Sequence, residues 1–121
     1  MGPLLVLRMQ KVLSHIQEIT IDDLVKMKES KKPFYLIDVR EDSEWQRGFI
    51  PGATHLSKNI LELHIEKLND DPKAEMVLYC GGGTRSALAA ESLNAMGYQN
   101  VKSLKGGLGA WQTQGLAVEV P

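Results

Sequence analysis

The stretch Met76-Val77-Leu78-Tyr79-Cys80-Gly81-Gly82-Gly83-Thr84-Arg85-Ser86 holds the only cysteine of the chain, set between an apolar run and the start of a helical pattern. Met76 to Tyr79 is continuously apolar, as a parallel strand covered on both faces requires. Beyond Ser86, Ala89, Leu93 and Met96 recur at helical spacing, and Gly97 stands where a helix would stop. A strand, a glycine-rich turn and a helix in that order turn several backbone N–H groups into one concavity at the positive end of the helix dipole. Such a concavity favours negative charge, including a thiolate on Cys80. The chemistry it points to is nucleophilic attack by sulfur.

Upstream, Phe34-Tyr35-Leu36-Ile37 reads as a second buried strand, ending in Asp38-Val39-Arg40. Charged residues then stand at the carboxyl end of a central strand, the edge at which open α/β sheets bind ligands. Ile16 to Ile19 suits a short strand, and Thr20-Ile21-Asp22-Asp23 has the form of a capping box opening a helix with Ile21, Leu24 and Val25 on its buried stripe. Glu41 to Arg47 is expected as a short helix capped near Asp42, with Trp45 turned inward and Gly48 closing it. Pro51-Gly52 marks a turn, Thr54 to Leu56 a short strand, and Leu61, Ile65 and Leu68 one face of a helix capped by Asn59 and Glu62. Val101 to Leu104 is the last strand, followed by Gly106-Gly107 and a short helix that carries Trp111 and ends near Gly115. Strands alternating with helices in this way predict an α/β fold with a mostly parallel sheet and helices on both faces.

At 121 residues the chain is the size of one domain, and its 43% hydrophobic and 24% charged residues are those of an ordinary globular protein. Lys and Arg number 14 against 15 Asp and Glu, so no global charge excess exists to bind nucleic acid or an anionic membrane. A single cysteine excludes an intrachain disulfide and a cysteine-based metal site. His15, His55 and His64 show no metal-binding spacing, so neither a metal nor a cofactor is expected. A lone thiol suits a reducing compartment, and the cytoplasm is the expected location. Leu4 to Leu7 is too short for the apolar core of a secretory signal and cannot span a bilayer. Residues 1–15 are expected to be a lead-in or tag remnant, and residues 16–121 one domain.

Three consecutive glycines follow Cys80, where one would suffice for a tight turn. Close approach of the backbone to a ligand explains the run better than turn geometry does. Arg85 near a helix N-terminus opposes the dipole and calls for compensation by a bound anion or by a carboxylate, for which Asp38 and Glu44 are the candidates. Lys105 follows a strand expected beside that of Cys80, where it either adds positive potential at the same edge or is simply solvated. Trp45 and Trp111 are read as core anchors.

In this order the residues resemble the single-domain rhodaneses, a sulfurtransferase family. The resemblance runs from about Ile16 to Gly115 and rests on Asp38-Val39-Arg40, Glu44-Trp45, Gly48 to Ala53, Cys80 to Ser86, and Gly106-Gly107 with Trp111. It implies a five-stranded, largely parallel sheet with Cys80 as a persulfide carrier at the carboxyl end of the central strand. It also implies that the amides of Gly81, Gly82, Gly83, Thr84, Arg85 and Ser86 hold the transferred sulfur and the donor's anionic group. Asp38, Arg40, Glu44 and Lys105 support that site. The implied activity is of the thiosulfate sulfurtransferase type: a sulfane sulfur passes from a small sulfur-containing anion, thiosulfate or another persulfide source, to a thiol, a dithiol protein or cyanide. Phe49 departs from the family, many members of which carry His there. The loop also lacks the extra basic side chains of some thiosulfate-using relatives, which points to other donors.

Two other readings compete. A cysteine phosphatase or arsenate reductase uses the same strand, loop and helix, but with Cys-x5-Arg, whereas Cys80 and Arg85 enclose only four residues. A module that docks a protein partner without turnover, or serves only as a sulfur carrier, is the alternative of a different class; retention of both Cys80 and Arg85 argues for catalysis, while no sequence feature excludes a sulfur carrier with one dedicated protein partner.

Overall fold

A computed structural model describing residues 1–121 places strand β4 (Met76–Tyr79) at the centre of a five-stranded sheet. The other strands are β1 (Gln17–Ile19), β2 (Tyr35–Asp38), β3 (Thr54–His55) and β5 (Val101–Leu104), in the order β1-β5-β4-β2-β3. Every pairing is parallel, so all the carboxyl ends lie along one edge. The register sets Asp38 beside Tyr79, which brings the end of β2 level with the residue preceding Cys80.

The helices are α1 (Pro3–Leu13), α2 (Ile21–Ser30), α3 (Asp42–Trp45), α4 (Leu61–Leu68), α5 (Thr84–Met96) and α6 (Gly107–Thr113). Alternation along β4 divides the core in two. Met76, Leu78 and Cys80 point to one face and pack with Leu61 and Ile65 of α4 and Ala89, Ala90 and Leu93 of α5. Val77 and Tyr79 point to the other, against Ile21 and Leu24 of α2 and Leu108 and Trp111 of α6. Each large side chain removed from water in this way contributes about 1.5–3 kcal/mol before entropy is counted. Burial on both faces is why the strand reads as an unbroken apolar run.

Thr20 and Asp23 form the expected reciprocal capping box at the start of α2, and Gly97 ends α5 in a left-handed conformation. Other expectations are corrected. Met96 is 41% exposed, although Leu93, in the same last turn of α5, is fully buried. Asn59 does not cap α4 with its side chain; it lies inside a 3-10 turn, Lys58–Ile60, that leads directly into the helix. Residues 1–15, expected as a lead-in or tag remnant, hold a helix packed on the domain. Pro3 opens α1, whose Met9 and Val12 are buried against Ala87 of α5, and Arg8 pairs with Glu91 of the same helix.

Candidate active site

Cys80 leaves β4 with its side chain on the α5 side of the sheet and is fully buried. Its Sγ accepts hydrogen bonds from the N–H of Gly83 at 3.1 Å and the N–H of Ser86 at 3.4 Å. The N–H groups of Gly81, Gly82, Thr84 and Arg85 donate to no protein group. Amides facing the sulfur at the N-terminus of a helix place positive potential where charge on sulfur would develop. A thiol proton on Cys80 has the Ser86 hydroxyl oxygen as its acceptor at 3.6 Å. Ser86 Oγ in turn lies 3.2 Å from the Gly83 carbonyl oxygen and 2.8 Å from Ser103 Oγ.

The amides are available because the carbonyls behind them are occupied. Leu108 N–H donates to the Cys80 carbonyl at 2.8 Å and Gly109 N–H to that of Gly81 at 2.9 Å, so the first turn of α6 clamps the back of the loop. That clamp requires glycine at 107. A Cβ there would overlap the Cys80 carbonyl oxygen and stand 2.9 Å from that of Gly81, and φ is +55°. Gly83 also needs its residue type, with φ +104° immediately before α5.

Arg85 is compensated by Glu44. The carboxylate accepts from Nη1 at 2.6 Å and from Nη2 at 3.0 Å. The Arg85 hydrogen bonds, helped by the Glu41 amide and opposed by partial burial, lower the Glu44 pKa to about 2, and Glu44 raises that of Arg85. Glu44 is itself fixed by donation of the Glu41 N–H to its Oε1. Asp38, the other candidate, goes elsewhere. It is wholly buried and grips Arg40 through Nε and Nη2 at 2.7–3.1 Å, while Arg40 Nη2 also reaches the Gly48 carbonyl. Burial opposes charge on Arg40, but Asp38 outweighs it and raises the Arg40 pKa. Asp38 and Arg40 thus brace the segment after β2 and do not touch Cys80. His55 Nε2 meets the Arg40 carbonyl at 2.7 Å. Phe49 stacks on Trp45 at 3.8 Å between centroids, so its departure from the family pattern is absorbed by aromatic packing.

One cavity borders the loop and another lies beside the segment that follows β2. The latter, of about 270 Å³, lies towards α3 and is lined by Arg40, Glu44, Arg47, Gly48, Leu108 and Gln112. The other, of about 320 Å³, lies between α1 and the loop, with Gly82, Gly83 and Thr84 in its wall and Lys105 beside them. Lys105 therefore stands at the same edge as the loop, on its outer flank. Sequence reasoning missed Ser103 and the wall formed by α1. The first had no signal beyond a serine in an apolar strand; the second had Pro3 at a helix start and the spacing of Met9 and Val12.

The family profile described as Rhodanese-like domain matches residues 20–114. A sulfurtransferase of Allochromatium vinosum is 30% identical, the match covering 88% of this chain and 97% of that protein. Thiosulfate sulfurtransferase GlpE of Shewanella oneidensis is 31% identical over 82% of this chain and 95% of that protein. Among solved structures, a protein of unknown function from Rhodopseudomonas palustris, described as a possible tyrosine phosphatase, superposes with a TM-score of 0.82 at 32% identity, covering 91% of this chain and 89% of the other.

Proposed function

The chain belongs to the rhodanese-like domain family, and on that premise we propose that it is a sulfurtransferase whose Cys80 carries the sulfur as a persulfide. The observation that carries this reading is the set of amides around Cys80 Sγ, two bonded to it and four others without a protein partner. With thiosulfate as donor, the Cys80 thiolate attacks the outer sulfur, the new S–S bond forms as the bond to the SO3 group breaks, and sulfite leaves. With cyanide as acceptor, the terminal sulfur is taken as thiocyanate and the thiolate returns. The amides of Gly81 to Ser86 stabilise the terminal sulfur in between. Glu44 holds Arg85 at the rim, Asp38 and Arg40 brace the adjoining segment, and Lys105 adds positive potential to the flank.

In the cell the acceptor is a thiol or a dithiol protein, since the chain has no second cysteine to discharge the persulfide. No helix is long and apolar enough to cross a membrane, and the cytoplasm is the location that suits a lone reactive thiol. Phosphoryl chemistry is disfavoured by Glu44: the Arg85 fork that would grip phosphate oxygens is already engaged on both terminal nitrogens. The test is sulfur transfer to cyanide set beside hydrolysis of p-nitrophenyl phosphate. Thiocyanate formation that disappears in Cys80→Ser, with no phosphate release, is expected. Phosphate release dependent on Cys80, without thiocyanate, would reverse the assignment.

A further inference from the structure

Ser103 lies within β5 with none of its surface exposed. Val101 belongs to the cluster on the α5 side of the sheet and Leu104 to the other, so alternation puts Ser103 on the face that holds Cys80. A hydroxyl removed from water costs stability unless it is hydrogen-bonded, and an apolar side chain would meet the packing of a buried strand without that cost. The one partner of Ser103 Oγ is Ser86 Oγ, at 2.8 Å.

Ser86 has a single proton and three neighbours around its oxygen. They are Cys80 Sγ at 3.6 Å, the Gly83 carbonyl oxygen at 3.2 Å and Ser103 Oγ. Ser103 finds no acceptor other than Ser86, so its proton lies between the two oxygens. The Ser86 proton is then excluded from that line and is left to the Gly83 carbonyl or to the sulfur. Accepting from Ser103 also polarises the Ser86 hydroxyl and makes it the better donor.

Resting on the sulfurtransferase reading, we infer that Ser103 is a positioning residue for the release of sulfur from Cys80: its hydrogen bond holds the Ser86 hydroxyl as a donor for charge that returns to Sγ. In discharge to cyanide the reaction is Cys80–S–S⁻ + CN⁻ giving Cys80–S⁻ + SCN⁻. The carbon takes the outer sulfur, the C–S bond forms as the S–S bond breaks, and the electron pair leaves on Sγ. Two negative charges stand on each side, no proton is transferred, and no oxidant or reductant is consumed. In the loaded state Sγ is neutral and the Ser86 proton rests on the Gly83 carbonyl. As charge gathers on Sγ the hydroxyl turns to it, across the 3.6 Å that the thiol bridges in the other direction. The sulfur then has three donors, counting the N–H groups of Gly83 and Ser86. Ser103 touches no reacting atom and acts only through Ser86.

The test loads Cys80 with polysulfide, removes the excess and follows discharge by cyanide in a single turnover, in the unaltered protein, Ser103→Ala, Ser86→Ala and the double variant. Discharge should slow about fivefold in Ser103→Ala and about tenfold in Ser86→Ala. The double variant should be no slower than Ser86→Ala, because Ser103 has no other route to the sulfur. Ser103→Thr, which keeps the hydroxyl, should discharge at the rate of the unaltered protein. Loading moves charge away from Sγ, so at a pH alkaline enough to ionise Cys80 in every variant it should not slow; an equal loss in both steps would mark a loosened loop and overturn the inference. Unchanged discharge in Ser103→Ala, or losses that add in the double variant, would overturn it as well and leave the sulfurtransferase reading intact. An unaltered protein that accepts no sulfur on Cys80 would remove that reading, and this one with it.

Discussion

The Glu44 carboxylate spans both terminal nitrogens of the Arg85 guanidinium, at 2.6 and 3.0 Å, and so ties the short helix after β2 to the first turn of the helix after the cysteine loop. A cation near a helix N-terminus would otherwise oppose the dipole. Glu44 cancels that opposition and leaves the loop amides as the local source of positive potential.

The pair sets an acid limit. With its pKa lowered to about 2 in the fold and near 4.5 as its ordinary value, Glu44 contributes stability that is fully present above about pH 4.5 and lost as pH falls towards 2. Chemical denaturation of the unaltered protein and Glu44→Gln should show a constant difference from pH 7 to 5 that shrinks below 4.5. A difference that grows on acidification would contradict the ion-pair account.

Gly107, behind the loop, and Gly82, within it, should respond in opposite ways. Gly107→Ala forces a Cβ into the Cys80 carbonyl at a positive φ, and is expected to cost about 2 kcal/mol or more. Gly82→Ala should stay within about 0.5 kcal/mol. Denaturant midpoints decide the matter, and equal losses would mean that the α6 clamp does not hold the loop as described.

Much of this was legible because the signals are local. The strand before Cys80 is apolar at every position, the Thr20–Asp23 box fixes the start of α2, and Arg85 asks for a carboxylate by its place on a helix. What escaped depends on contacts distant in sequence. Asp38 was a fair candidate for Arg85, but the nearer Arg40 captures it in a buried pair. Met96 keeps the helical spacing of Ala89 and Leu93 yet is 41% exposed where those two are buried. Residues 1–15 were read as a lead-in or tag remnant, since the surface that covers Met9 and Val12 lies on α5, far along the chain.

That docking predicts a measurable asymmetry along α1. Val12 is completely buried, and Val12→Ala should destabilise the protein by about 2 kcal/mol. Leu4 is 82% exposed, and Leu4→Ala should change stability by less than about 0.5 kcal/mol. Equal, negligible effects in thermal or denaturant unfolding would mean that α1 is not part of the cooperative unit.

The central claim is that the amides around Cys80 hold a persulfide sulfur, and intact mass tests it most directly. Cys80 is the only cysteine, so nothing within the chain resolves the adduct. Donor alone, whether thiosulfate, polysulfide or a protein persulfide, should leave the protein one sulfur atom heavier; Cys80→Ser should remain unmodified, and a dithiol should restore the original mass. No adduct with any of these donors would contradict the account.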